Sequence, residues 1–455
     1  MPRYFPLIEP DSNGYLDFTN NRTAFYPLFI RLCRSLGLSL DQIAYLQVGL
    51  FAASLVVLLL ALMRAGMPRV LVAVFVAALA ANTYFPSFHW TIMTESLFCS
   101  VGAVAFAACI DFFRTGRVGC LVIFSFGVSV MAGLRPIGLA LMPLVFVAAW
   151  LVGRRSEASR VTLMLAVVLP LLIGGGAEIA ARRIEHGSNQ SSVLPNALLG
   201  KAGMLMQRDT QFTGPHAEAL SQLGRQLYEI YVPVHRFLDG VPSIGAWPIL
   251  TAGYEAAAHF QLLVAELDDW SKRTGATTDR LRNELARQAV LQNIPGYIRL
   301  TLIHYFGQWS AAALRFPPTA KVVESYVSND PKVPLSNILG DVYLHPKPTL
   351  TSIVIYPAFL IAGLTTLGLC MILLVFVVRP SLGNQGRGQT LMIACFLAAT
   401  VHAPLVLMSL INVSTTRFVM AFYPQLLMAG LFLLLALMPR LRIASAKNGS
   451  YGDNE

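Results

Sequence analysis

Apolar runs of membrane-spanning length alternate with short polar joints along most of this chain, and one long polar interval interrupts them. The runs cover residues 42–63, 70–88, 95–113, 118–134, 137–152 and 161–181, then 352–378, 389–411 and 418–438. Roughly 17 to 25 apolar residues are what a helix needs to cross the hydrocarbon of a bilayer, so the pattern predicts about nine transmembrane helices. Ahead of the first run, residues 1–41 are polar and aromatic. Phe25-Tyr26-Pro27-Leu28-Phe29-Ile30, with Leu32 and Leu36, forms an amphipathic piece too brief to span, which reads as an interfacial helix.

The polar interval 182–351 is far longer than a plain connection, so it reads as a folded region. Residues 278–293 have helical spacing, with Leu281, Leu285 and Ala289 on one face and a stop at Asn293-Ile294-Pro295. Residues 297–314 follow, with Ile298, Leu302, Tyr305, Phe306 and Trp309 forming a stripe suited to a membrane interface. No alternating pattern predicts a sheet. The expected fold class is therefore an all-α polytopic membrane protein with an extracytoplasmic, mostly helical domain. Its expected segments are an outer acidic loop with the interfacial helix (1–41), spans one to six (42–181), the extracytoplasmic domain (182–351), spans seven to nine (352–438) and a cytoplasmic tail (439–455).

Composition agrees: 55% of the 455 residues are hydrophobic and 13% charged, which excludes an ordinary soluble domain. The net charge of +10 is spread over short clusters between apolar runs, so it points to membrane orientation and not to nucleic acid. One set of joints carries Arg64, Arg69, Arg114, Arg117, Arg154, Arg155, Arg160, Arg379, Arg387, Arg440, Arg442 and Lys447; the opposite set carries only Arg135 and Arg417. Basic residues resist translocation, which makes the first set cytoplasmic and puts the N-terminus and residues 182–351 outside. Arg3, Arg22, Arg31 and Arg34 in an outside N-terminal segment lead to the expectation of a further hydrophobic helix upstream. The six cysteines lie in or beside apolar runs without a CxxC pair, so neither a disulfide framework nor a metal site is expected.

With that topology, Glu9 and Asp11 of the first segment, Glu95 at the mouth of the third span, Arg135 between spans four and five, and Arg417 before the last span all belong to the outer side. Two kinds of charge at one depth suit a reaction on a phosphate-linked substrate. Arginine forks hold the phosphate while a carboxylate takes a proton from an attacking hydroxyl. Each residue also has a plainer role. Asp11 fits a turn in Pro-Asp-Ser-Asn-Gly, Glu95 fits the first turn of a helix capped by Thr94, and Arg135 and Arg417 fit interfacial anchors. Further candidate substrate contacts are His89 beside Trp90, His345 in Tyr-Leu-His-Pro-Lys-Pro, and Lys201, for which a solvated surface position is the plainer reading. No HExxH, Walker A or GxSxG motif occurs, which weakens hydrolase and nucleotide-driven pump readings.

Four local features carry a resemblance. They are Pro10-Asp11-Ser12 with Tyr15, followed by Tyr26-Pro27-Leu28; Thr94-Glu95-Ser96-Leu97-Phe98; Gly133-Leu134-Arg135-Pro136-Ile137-Gly138-Leu139; and Thr416-Arg417-Phe418 with Tyr423-Pro424. In this order the chain resembles the GT-C class of membrane glycosyltransferases, near the polyprenyl-phosphate-sugar-dependent group that includes protein O-mannosyltransferases and lipid A aminoarabinose transferases. The resemblance implies a GT-C-like bundle, Asp11 as general base on the acceptor, Arg417 chiefly on the donor phosphate, and Glu95 shaping the sugar site. It implies a lipid, glycan or protein acceptor, membrane lipids as surroundings and no cofactor beyond the lipid-linked donor. The chain departs from the family in lacking a span ahead of the acidic loop and in separating Glu9 from Asp11 by Pro10. The expected location is a bacterial inner membrane. A flippase for a lipid-linked glycan and an outer-leaflet glycan polymerase or ligase are the rival functions.

Overall fold

Among the described residues the computed structural model is 84% helical and has no strands. Those residues are 10–82, 85–187, 193–240, 263–309, 350–383, 386–411 and 416–438. The chain divides into two compact units, one comprising Met1–Asn189, Ala362–Pro404 and Met420–Glu455, the other Gln190–Ile361 and Leu405–Val419.

The first unit opens with two short helices, α1 (Pro10–Leu16) and α2 (Phe25–Ser35), then α3 (Leu40–Arg64), α4 (Arg69–Ala81), α5 (Ser87–Trp90), α6 (Thr94–Thr115) and α7 (Val118–Leu134). A 3-10 turn, Pro136–Leu141, leads into α8 (Met142–Gly153), and α9 (Arg160–His186) closes the first stretch. Ser39 caps α3 by accepting from the Gln42 amide while the Gln42 side chain accepts from the Ser39 amide, a reciprocal box that fixes where the first long apolar helix begins.

Residues 193–309 of the second unit supply α10 (Val193–Leu205), α11 (Ala217–Gly240), α12 (Val264–Thr274), α13 (Thr278–Gln292) and α14 (Ile294–Gln308). Three long or apolar helices then complete the chain: α15 (Leu350–Val378), α16 (Gly386–Ile411) and α18 (Tyr423–Leu437), with the short α17 (Thr416–Ala421) before the last. The unit boundary inside α16 falls at Pro404, which has no N–H to give to the helical ladder.

Six helical stretches are long and apolar enough to cross a membrane: Leu40–Arg64, Thr94–Thr115, Pro136–Gly153, Arg160–His186, Ala358–Val378 and Gly386–Ile411. The chain is an all-α integral membrane protein. Three other apolar helices, Arg69–Ala81, Val118–Leu134 and Tyr423–Leu437, stand where further spans are expected but are shorter. Two of the expected runs are broken. The run 70–88 stops at Ala81, where Asn82 leaves the helical backbone and its side chain accepts from the Phe85 amide at 3.1 Å. The run 418–438 breaks at Phe422, ahead of Pro424 in the first turn of α18, where a missing N–H is tolerated.

Contacts inside the first unit sort its helix ends into two groups. At one end Arg64 of α3 pairs with Asp111 of α6 at 2.5 Å, and Arg155 and Gln389 both donate to the Phe113 carbonyl. The arginines of the basic joints therefore cluster with Asp111 and with helix C-terminal carbonyls, where the helix dipole favours cations. At the other end lie the first segment, the 87–95 connection, the start of the 134–141 turn and the C-terminal part of α9.

In the second unit the expected helix 278–293 is present as α13, and its predicted face, Leu281, Leu285 and Ala289, is buried against α10, α11 and α14. Gln288 and Gln292, one turn apart, each make two hydrogen bonds with the backbone at Thr213 and Gln211, holding that extended segment as a neighbouring strand would. The aromatic stripe of 297–314 divides. Ile298 and Leu302 are exposed as an interfacial face would be, whereas Tyr305 and Trp309 are buried. Residues 310–314 lie outside those described.

Candidate functional site

Three glycines and one helix set the geometry around Arg135. α7 ends at Leu134, and Arg135 is extended before Pro136, the backbone state that a following proline favours. Gly133 lets the Phe25 ring lie on the backbone of α7, since a Cβ there would stand 2.5 Å from the ring. Gly138 folds the 3-10 turn back on Met131 and Ala132, and Gly174 lets α9 approach Ser129 of α7 without a side chain between them. Thr23 then donates to the Leu134 carbonyl at 2.7 Å. The first segment is thus bonded to the residue that precedes Arg135.

Arg135 reaches Glu95 in the first turn of α6, with Nη1 3.0 Å from Oε1 and side chains 8% and 1% exposed. The guanidinium also lies 5.9 Å from the centre of the Phe98 ring. Thr94 donates to the second Glu95 oxygen at 3.3 Å. Thr94 is therefore the first residue of the helix and a partner of Glu95, not the expected cap: Met93 occupies the cap position without a side-chain bond. A carboxylate and a guanidinium, each costly alone away from water, neutralise one another here.

Around this pair runs a polar seam. His89 Nδ1 lies 2.9 Å from Ser96 Oγ, and its ring stacks on Phe51 with centroids 3.9 Å apart. Tyr26 donates to Gln47 Oε1 at 2.8 Å, and Gln47 Nε2 donates to the Thr91 carbonyl at 3.3 Å. Tyr15 of α1 meets Tyr26 edge-on at 5.3 Å. This chain of contacts links α1, which contains Asp11, to the 87–95 connection.

Two residues without a role in the sequence reading hold the loop after α1. Glu178 of α9 accepts from the Ala24 amide through both oxygens, at 2.9 and 3.0 Å, and so caps α2 where Ala24 has no side chain to do so. Arg182, one turn later, donates to the Arg22 carbonyl at 2.5 Å and to Asn20 at 2.8 and 2.7 Å. The signal was present: a glutamate inside an otherwise apolar membrane-spanning run demands a partner.

The remaining candidates fall elsewhere. Lys201 is not a surface lysine. It is fully buried in the second unit, its ammonium donating to the Ser409 carbonyl and lying 5.4 Å from the centre of the Tyr297 ring. Burial pushes Lys201 down to about 7, and burial with Lys201 nearby keeps His304 well below the usual imidazole range. Tyr297 donates to the Leu410 carbonyl and Gln308 to the Leu405 carbonyl, so α10 and α14 together satisfy carbonyls in the last turns of α16. Arg417 belongs to α17, and Asp11 to α1, but both side chains lie outside the described residues. Glu9 and His345 lie outside them entirely. Among the described residues no group of three or more His, Cys, Asp or Glu side chains could hold a metal.

A cleft of about 390 Å³ in the second unit is lined by residues 206–212 with Ser221, Gly224 and Arg225, and does not include Lys201. No family model, no curated protein and no solved structure matches the chain.

Proposed function

We propose that this protein is an integral-membrane glycosyltransferase of GT-C type, moving a sugar from a polyprenyl-phosphate donor to an acceptor on the non-cytoplasmic side. The observation that carries the reading is the buried Glu95–Arg135 pair at the end of the bundle to which the first segment is bonded through Thr23. A pre-paired carboxylate and guanidinium at membrane depth is a fixed polar surface in a water-poor setting, where such groups stabilise developing charge most. In the proposed reaction an acceptor hydroxyl attacks the anomeric carbon and gives its proton to Asp11. The bond from that carbon to the phosphate oxygen breaks, and the polyprenyl phosphate leaves with the electron pair. Attack opposite the leaving group inverts the anomeric centre. Arg135 is oriented by Glu95, and Glu95 shapes the sugar site.

In this reading the basic end, with Arg64, Arg114 and Arg155, faces the cytoplasm, and the membrane is a bacterial inner membrane. The test uses the full chain in liposomes with a polyprenyl-phosphate sugar and a crude acceptor fraction, followed by mass spectrometry. A new glycosidic bond with the inverted anomer supports transfer. Donor that changes leaflet without bond formation identifies a flippase instead.

A further inference from the structure

α1 ends in an unusual way. The Thr19 amide bonds to the Gly14 carbonyl across the helix end at 2.9 Å, and Phe18, the residue in the left-handed position of this cap, has φ +48°. That position is normally given to glycine, and a bulky aromatic there is strained. Phe18 is the only non-glycine residue with positive φ among those described. Its ring is 1% exposed, edge-on to His186 at 4.8 Å and beneath the Arg31 guanidinium at 5.4 Å. Arg31 in turn makes a two-pronged pair with Glu185, at 2.6 and 2.7 Å. Glu178, Arg182, Glu185 and His186 are the successive contacts of one α9 face with residues 18–31.

We propose that the C-terminal end of α9 is a mount that positions α1, and that Phe18 is its key positioning residue. The backbone strain at Phe18 is tolerated because the ring fastens α1 to α9. The inference rests on the transferase reading only for its consequence, that a displaced α1 moves Asp11 away from the reacting hydroxyl.

Two measurements separate the parts. Phe18→Gly removes the ring and relieves the strained φ, so the helix cap survives while the fastening is lost. Glu178→Gln keeps an acceptor for the Ala24 amide, whereas Glu178→Ala removes it. Amide hydrogen exchange of residues 10–24 in the detergent-solubilised full chain is expected to speed at least tenfold in Phe18→Gly and Glu178→Ala, with Glu178→Gln near wild type. In the transfer assay the first two variants are expected to lose at least tenfold in kcat with the donor KM unchanged. Unaltered exchange in both variants overturns the mount. Faster exchange with unchanged kcat overturns positioning. A wild-type chain without transferase activity overturns the transferase reading, and the exchange arm still decides the mount.

Discussion

Arg135 in the first unit and Lys201 in the second are both long cations withdrawn from water, but their surroundings treat the charge differently. Arg135 faces a carboxylate at 3.0 Å, whereas Lys201 makes no ion pair among the described residues and rests on a backbone carbonyl and an aromatic ring. A guanidinium does not lose its proton in proteins, so it must be paired where it is buried. An ammonium has a second way out, which is to give up the proton, and Lys201 is pushed down to about 7. The pair in the first unit is therefore a constant of the fold, and the lysine in the second is a group whose charge depends on pH.

Removing one member of the buried pair leaves the other uncompensated. Glu95→Ala leaves Arg135 buried without its partner, and a loss of about 3–5 kcal/mol is expected, read as a large fall in thermal midpoint and in folded yield. A stable Glu95→Ala variant would mean that the pair is not what holds that end together. The next effect concerns Lys201. Its folded value lies below the ordinary 10.5, so between about pH 7 and 10.5 the unfolded chain binds more protons than the folded one. The stability it contributes therefore rises with pH across that window. Lys201→Met is expected to remove this rise and to gain a few kcal/mol over wild type at pH 6.5, measured by unfolding at pH 6.5 and 9. An unchanged pH dependence would show that Lys201 keeps its charge.

Smaller effects separate the two units by packing. Gly174→Ala forces a methyl group against Ser129 between α9 and α7, and about 1–3 kcal/mol is expected, with faster exchange of residues 20–24 because Glu178 and Arg182 lie on the displaced helix. Gln292→Ala removes both bonds to Gln211 in the second unit, at a cost of about 1 kcal/mol, without altering exchange in residues 10–24.

The long apolar runs were legible because hydrocarbon thickness leaves few alternatives, and α3, α6, α9 and α16 stand where the pattern puts them. Helix α13 was legible from Leu281, Leu285 and Ala289 alone. The breaks at Asn82 and Phe422 were not, because both sit inside continuous apolar runs and are marked by one side-chain bond and one proline. The approach of Glu95 to Arg135, forty residues apart, could be guessed from topology but not measured. Lys201 reads as a surface lysine because nothing in its neighbours Gly200, Ala202 and Gly203 signals burial. In the fold the Tyr231 ring lies directly on Gly203 of α10. Glu178 falls inside the expected span 161–181 and Arg182 at the start of the expected outer domain, whereas in the fold their charges fasten the first segment.

Sugar transfer by an Asp11→Asn variant probes the proposed proton acceptor on α1. In liposomes with the polyprenyl-phosphate sugar, the variant is expected to fold and bind donor as wild type does but to form glycosidic bonds at least a hundredfold more slowly. Transfer at the wild-type rate would show that Asp11 is not the base.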